Sequence, residues 1–267
     1  MSLRVLLADD QALVRLGIRA VFQGLDDISV CGEATNGIDA IRKAYELAPD
    51  IIVADPWLSG ANGVILTKRI LERNPNQKVL IFADLAPDAM VHQLLSAGIK
   101  GLVLKTDPIA DLIEATKALW QDRLYFSRSV TTAIVGNYLC ADLPSFEYTP
   151  TFHRLTLREQ EVAQLLAEGK ASKEVGDILG ISYRTANTHR SNLMRKLSIH
   201  NCAALTFYAA THLIIKDPRF TVLANIVEFP RSASQIGPRW REERRSRVSA
   251  LATTSDSSVV SRASMRV

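Results

Sequence analysis

RVLLADD, residues 4–10, is a run of four apolar residues closed by two carboxylates. Four apolar residues in succession leave no polar face, which suits a strand covered on both sides by helices in a parallel sheet. The same kind of run recurs along the chain as ISVCGEA (Ile28 to Ala34), IIVA (Ile51 to Ala54), KVLIFA (Lys78 to Ala83) and GLVLK (Gly101 to Lys105). Between them lie stretches with helical spacing, the first from Ala12 to Phe22. Parallel neighbours need crossover connections, usually helices. The expectation for residues 1–125 is therefore a five-stranded, doubly wound α/β sheet. Asp107 followed by Pro108 reads as a helix N-cap with proline at the first helical position, opening a helix to about Gln121.

The remainder has a different rhythm. A helix is expected from Ser129 to Leu139, then a linker to residue 153 with two prolines and no periodicity. Thr156-Leu-Arg-Glu159 is a capping box, with Val162, Leu165 and Leu166 following at helical spacing. A second helix is read from Ser172 to Leu179. Gly180 permits a left-handed turn into Ile181, and Ser182 caps a third helix running to Leu197. A fourth covers Asn201 to Leu213. Residues 154–216 thus form an all-α module, residues 126–153 a helix and linker. Residues 217–267 hold a short β-like run (Phe220 to Phe229) and a Ser- and Arg-rich tail with no evident core, so disorder is expected there.

The chain is 47% hydrophobic and 22% charged, ordinary values for a folded globular protein. No uninterrupted apolar run reaches the length of a membrane span, and Met1 to Leu7 passes into Asp9 and Asp10 without the apolar core of a signal peptide. Cys31, Cys140 and Cys202 are too few and too scattered for a disulfide framework or a zinc site, so a reducing cytoplasm without membrane contact is expected. Charge is divided unevenly. Residues 1–150 carry 14 Lys and Arg against 18 Asp and Glu, net −4, whereas residues 151–267 carry 18 against 10, net +8. The basic half favours a polyanion such as nucleic acid.

In a doubly wound sheet the ligand crevice lies beyond the carboxyl ends of the strands. Asp9 and Asp10 follow strand one, Asp55 follows strand three, and Lys105 ends strand five. Clustered carboxylates repel one another unless a cation is present, and oxygen donors that leave room for water suit Mg²⁺. A nucleophilic carboxylate, a metal and a lysine make a coherent phosphoryl-acceptor site, with Asp55 as acceptor. The plainer alternative is that such aspartates cap the following helices, which would account for Asp10 alone. VLLADD (Val5 to Asp10), IIVADPWLSGANG (Ile51 to Gly63) and AGIKGLVLK (Ala97 to Lys105) resemble the receiver domain of bacterial response regulators. That resemblance implies Mg²⁺ held by Asp9, Asp10 and Asp55, and a partner histidine kinase as phosphoryl donor. Three positions depart from the family pattern: Ala83 replaces a hydroxyl residue, Leu102 an aromatic, and Ser59 a proline. The first two carry the usual phosphorylation readout, so weakened or altered switching is expected.

Leu155 to Leu197 resembles the LuxR-type helix-turn-helix of NarL/FixJ-type response regulators. Its third helix is two-faced, with Ala186, Leu193 and Leu197 toward the core. The resemblance implies base reading by Asn187, Thr188 and Ser191 in the major groove of double-stranded DNA. Lys173, Arg184, Thr185, Arg190, Arg195 and Lys196 are assigned to phosphates. His189 is read as packing within the module. The fourth helix, with Leu205, Tyr208 and Leu213, resembles the family's dimerisation element, a homodimer competing with simple core packing of the same residues. Two other functions compete. An aspartate phosphatase with a second acid two residues after the nucleophile is disfavoured by Trp57. A cyclic-dinucleotide-controlled transcription factor rests only on a loose likeness in Tyr125-Phe-Ser-Arg128. The reading is thus of a DNA-binding regulator, not an enzyme.

Overall fold

A computed structural model describes residues 2–132, 155–212 and 214–216. Strands β1 (Leu3–Ala8), β2 (Ile28–Ala34), β3 (Ile51–Ala54), β4 (Lys78–Ala83) and β5 (Gly101–Leu104) alternate with helices α1 (Ala12–Gln23), α2 (Gly37–Leu47), α3 (Gly63–Arg73), α4 (Asp88–Ala97) and α5 (Ile109–Trp120). A sixth strand, β6 (Tyr125–Phe126), comes after α5. Every pairing is parallel, in the order β2-β1-β3-β4-β5-β6. The strand order reverses between β1 and β3, so a crevice opens there at the carboxyl end of the sheet. Ile51, Ile52, Leu80 and Ile81 are fully buried, because α2, α3 and α4 cover one face and α1 and α5 the other.

Among the described residues the expected five strands are six. β6 pairs with Gly101 and Leu102 at the sheet edge. A two-residue strand is too short to produce any periodicity, so only its partner reveals it. Asp107 is also corrected. Helix α5 begins at Ile109 after Pro108, and the Asp107 carboxylate instead accepts from the Leu104 N–H at 2.9 Å and the Ser129 hydroxyl at 2.7 Å. It closes the turn after β5 rather than capping the helix.

Four helices make the second module: α6 (Leu157–Ala167), α7 (Ser172–Leu179), α8 (Tyr183–Leu197) and α9 (Cys202–Thr211). Thr156 and Glu159 exchange both hydrogen bonds of the capping box that opens α6. Gly180 takes φ +64° between α7 and α8, where a side chain would be strained, and Ser182 caps α8 through the Thr185 N–H. Val162, Leu165, Val175, Ala186, Leu193 and Leu205 form the core. Both modules belong to one compact unit. Residues 128–132 are helical, but the rest of the helix expected to Leu139, the linker to residue 153 and the tail from 217 lie outside the described residues. No helix among the described residues is long and apolar enough to cross a membrane.

Candidate functional site

Asp55 sits immediately after β3 and is only 2% exposed. Its Oδ1 accepts from the Trp57 N–H at 2.6 Å and its Oδ2 from the Lys105 ammonium at 2.6 Å. Lys105 also lies 2.8 Å from Asp9 Oδ2, and Asp9 Oδ1 accepts from the Gln11 N–H at 2.8 Å. The sheet therefore brings Asp9, Asp55 and Lys105 together, as the strand ends imply. Asp10 stands exposed beside them and does not cap α1, whose N-cap is Gln11. Burial pushes the Asp55 carboxyl up, and Lys105 only partly offsets this. For Lys105, burial opposes the charge, but Asp55 and Asp9 outweigh it and raise the ammonium above its usual range.

Asp84, which carries no signal in the sequence, brings a further carboxylate to this rim, 3.6 Å from Lys105 and 2.9 Å from Lys216 beyond α9. Burial raises its carboxyl, yet the two lysines prevail and hold it below the usual carboxylate range. Ala83 and Leu102 are fully buried, so a methyl group and an isobutyl group line the positions where the family pattern has a hydroxyl and an aromatic ring. Among the described residues, no group of three His, Cys, Asp or Glu side chains is placed to hold a metal ion, so Asp9, Asp10 and Asp55 are not gathered as a complete ligand set. Two buried carboxylates sharing one cation, with a third acid exposed at the same strand end, nonetheless fit a hard dication that keeps part of its water.

The second cluster is exposed. On α8, Ala186 and Leu193 are buried, Leu197 and His189 half-buried, while Arg184, Thr185, Asn187, Thr188, Ser191, Arg195 and Lys196 face solvent. An open groove of about 480 Å³ runs beside Tyr183, Arg184, Asn187, Thr188, Ser191 and Asn192. Lys173 stands exposed in the first turn of α7. Two of the cationic candidates have partners within the module. Arg190 is half-buried, 3.4 Å from Ser172 Oγ and 3.3 Å from Cys202 Sγ, and Lys196 pairs with Glu159 at 2.7 Å.

A third cluster escaped the sequence altogether. Gln160, Glu161 and Gln164 share a polar α6 face, and all three are buried. The Asn62 N–H donates to Gln164 Oε1 at 2.8 Å, Gln164 Nε2 donates to the Leu58 carbonyl at 3.0 Å, and the Gly60 N–H donates to Glu168 Oε1 at 2.9 Å. Arg69 grips Glu161 with two bonds of 2.5 and 2.7 Å, and that pairing raises its pKa against the opposing effect of burial. The loop carrying Leu58 to Asn62 begins three residues after Asp55, so the acid pocket and α6 are joined through a short segment. Nothing in one sequence distinguishes a polar helical stripe meant for water from one meant for a neighbouring module.

Comparison with known proteins agrees with this architecture. Residues 5–117 match the model of the response regulator receiver domain, and residues 153–209 that of bacterial regulatory proteins of the luxR family. The transcriptional regulatory protein LiaR of Bacillus subtilis is 33% identical over 213 residues, 79% of this chain and 99% of that protein. The response regulator protein VraR of Staphylococcus saprophyticus is 31% identical over 81% of this chain and its own entire length. Among solved structures, a LuxR-family two-component response regulator from Aurantimonas superposes with a TM-score of 0.51 at 29% identity, covering 52% of this chain and 99% of its own. The response regulator RcsB, solved in complex with DNA, gives 0.50 at 25% identity over 79% of this chain and 99% of its own. With a parallel receiver sheet ending in paired aspartates, a four-helix module behind it and relatives matched over nearly their whole length, the chain belongs to the NarL-type response regulators, transcriptional regulators that join a receiver domain to a LuxR-type DNA-binding module.

Proposed function

We propose that Asp55 accepts a phosphoryl group from the phosphohistidine of a partner histidine kinase, and that α8 reads double-stranded DNA as part of a homodimer in the cytoplasm. The observation that carries the first part is the placement of Asp55: buried at the switch point of the sheet, one oxygen fixed by a backbone N–H and the other against Lys105. In the transfer, a carboxylate oxygen of Asp55 forms a bond to phosphorus. The bond from phosphorus to the donor imidazole breaks, and the imidazole nitrogen keeps its electron pair. Lys105 is already within reach of the oxygens that gain charge, so it needs no rearrangement to neutralise them. Asp9, Asp10 and Asp55 are the residues that would hold Mg²⁺, which when bound offsets the charge of the transferred group. Trp57, where a phosphatase would carry a second acid, lends Asp55 only its backbone N–H, which supports a stored phosphoryl group over a turnover enzyme.

On the DNA side, Asn187, Thr188 and Ser191 lie together on the exposed face of α8 and are the base-reading set. Arg184, Thr185, Arg195 and Lys173 take phosphates, with Arg190 and Lys196 joining once they leave their present partners. Of the residues expected at the dimer element, Leu205 is buried in the module's core, Tyr208 is half-buried and Leu213 lies outside the described residues, so the dimer surface is assigned instead to the side of α9 that carries Phe207. Readout of the phosphoryl group is altered, because a buried methyl at Ala83 cannot be drawn toward an added oxygen as a hydroxyl can.

Incubation with Mg²⁺ and acetyl phosphate tests both claims. Intact-mass measurement should show one added phosphoryl group, absent in Asp55→Ala. The labelled protein should gain less than about tenfold in affinity for duplex DNA. A larger gain would show that the readout is intact despite Ala83 and Leu102.

A further inference from the structure

The receiver and the reading helix meet different sides of the DNA-binding module. On the receiver side, Leu58, Gly60 and Asn62 bond to Gln164 and Glu168, and Arg69 pairs with Glu161, all on or just past α6. Near the end of the module, Asn62 Nδ2 donates to the Ile214 carbonyl at 3.0 Å and Lys216 pairs with Asp84. Ile38 of the receiver packs against the apolar core of the helical module. Helix α6 is consequently buried on two sides: Val162, Leu165 and Leu166 face its own core, and Gln160, Glu161 and Gln164 lie under the receiver.

With that docking complete, the outward side of α8 is still bare. Tyr183 is 60% exposed, and Arg184, Thr185, Asn187, Thr188, Ser191 and Arg195 are all solvent-facing. Lys173 on α7 is exposed as well. Phe207 on α9 is 49% exposed, whereas Leu205 and Ala209 of the same helix are buried in the module's own core. The receiver therefore does not occupy the surface that enters a groove.

We propose that this chain binds duplex DNA with its receiver still docked on α6, so that control does not consist in uncovering the reading helix. This rests on the DNA-binding reading of α8. Two partners share one small module on two surfaces: the receiver on α6 and the segment just past α9, and the duplex on α8 and the N-terminal turn of α7. An α-helix of about 10–12 Å diameter fills a major groove about 12 Å wide, so the polar ridge of α8 is the part that must be free, and it is. A signal at Asp55 then reaches DNA through the loop of residues 56–62 and the orientation of α6, rather than by release of a cover.

Locking and loosening the junction test this in opposite directions. Arg69→Cys with Glu161→Cys, in a chain whose three native cysteines are changed to serine, can be bridged by a reducible bismaleimide. Lys68→Cys with Gln160→Cys serves as a second bridge should the first variant fail to melt cooperatively. The probe is a pool of random-sequence duplexes at low salt. Bridged protein should bind within about twofold of the same protein after the linker is reduced. Arg69→Ala, which removes the receiver's ion pair to Glu161 while Arg158 keeps its own, loosens docking and should likewise leave duplex affinity unchanged. A loss of about tenfold or more on bridging that reduction restores, or a gain of that size in Arg69→Ala, overturns the proposal while keeping the module as a DNA binder. Absence of salt-sensitive binding in the bridged and the reduced protein alike overturns the DNA-binding reading and this inference with it.

Discussion

Lys105 and Arg184 carry the same formal charge, yet Lys105 is held within 2.8 Å of two buried carboxylates while Arg184 stands in open solvent. The acid pocket sets one ammonium against two buried carboxylates, so its charge is only partly neutralised internally, at the expense of desolvation, and it is poised to exchange one arrangement of oxygens and cations for another. The outer face of α8 has left its charges hydrated, and they gain only when a polyanion displaces counterions. Pocket residues should therefore control stability and chemistry together, whereas most α8 residues should control affinity without touching stability.

The sharpest way to break this distinction is Lys105→Met. Removing one partner from a buried ion pair strands the others, and a loss of about 3–5 kcal/mol is expected in urea unfolding followed through the receiver domain. Added Mg²⁺ should return part of it, since a dication can take over between Asp9 and Asp55. An unchanged midpoint would mean that the carboxylates do not depend on Lys105 in the fold.

Asn187→Ala probes the opposite pole. Its side chain is exposed, so the melting temperature should hold. Preference for a selected duplex over a scrambled one should fall by about 1–3 kcal/mol, the range for losing one bidentate base contact. Equal losses on both duplexes would move Asn187 from the base-reading set to the phosphate set. Arg184→Ala should do what Asn187→Ala does not, weakening both duplexes alike and reducing the slope of log affinity against log salt by about 0.9. A change in preference with no change in slope would reverse the two assignments.

How much of this was legible beforehand differs between the same two regions. The strand-end acids were readable because a parallel strand announces itself by an unbroken apolar run, and the residues just past its carboxyl end fall at the crevice. Helix α8 was readable because caps, glycine turn and periodicity agree on one frame. Asp84 was not, since its partner Lys216 lies 132 positions away and neither has a local signature. The burial of Gln160, Glu161 and Gln164 has no signal in the sequence, because burial between modules obeys hydrogen-bond matching rather than hydrophobic patterning. β6 and the role of Asp107 share that origin: both are fixed by distant partners, Gly101 and Leu102 for one, Ser129 for the other.

The smallest expected effect lies where the two kinds of charge meet. Lys196 is a phosphate candidate on α8, yet it pairs with Glu159 of the capping box, whose side chain is 5% exposed while that of Lys196 is 34% exposed. Burial raises the Glu159 carboxyl, but Lys196 and Thr156 prevail and hold it below the usual range. A carboxylate depressed in the fold contributes stability above its unfolded value, near 4.5, and loses it as pH falls through the folded value. Glu159→Gln keeps an acceptor for the Thr156 N–H but discards the charge. Given the exposure of Lys196, the cost at neutral pH should be under about 1 kcal/mol and should shrink in high salt. Stability curves of the two proteins should converge as the solution is acidified below that range, because protonation then makes the native side chain as neutral as its replacement. Curves that stay parallel down to the acid limb would assign the cost to packing instead. Release of Lys196 should also show in binding, because an unpaired ammonium on α8 is free for a phosphate: Glu159→Gln should bind duplex slightly more tightly while folding slightly less well.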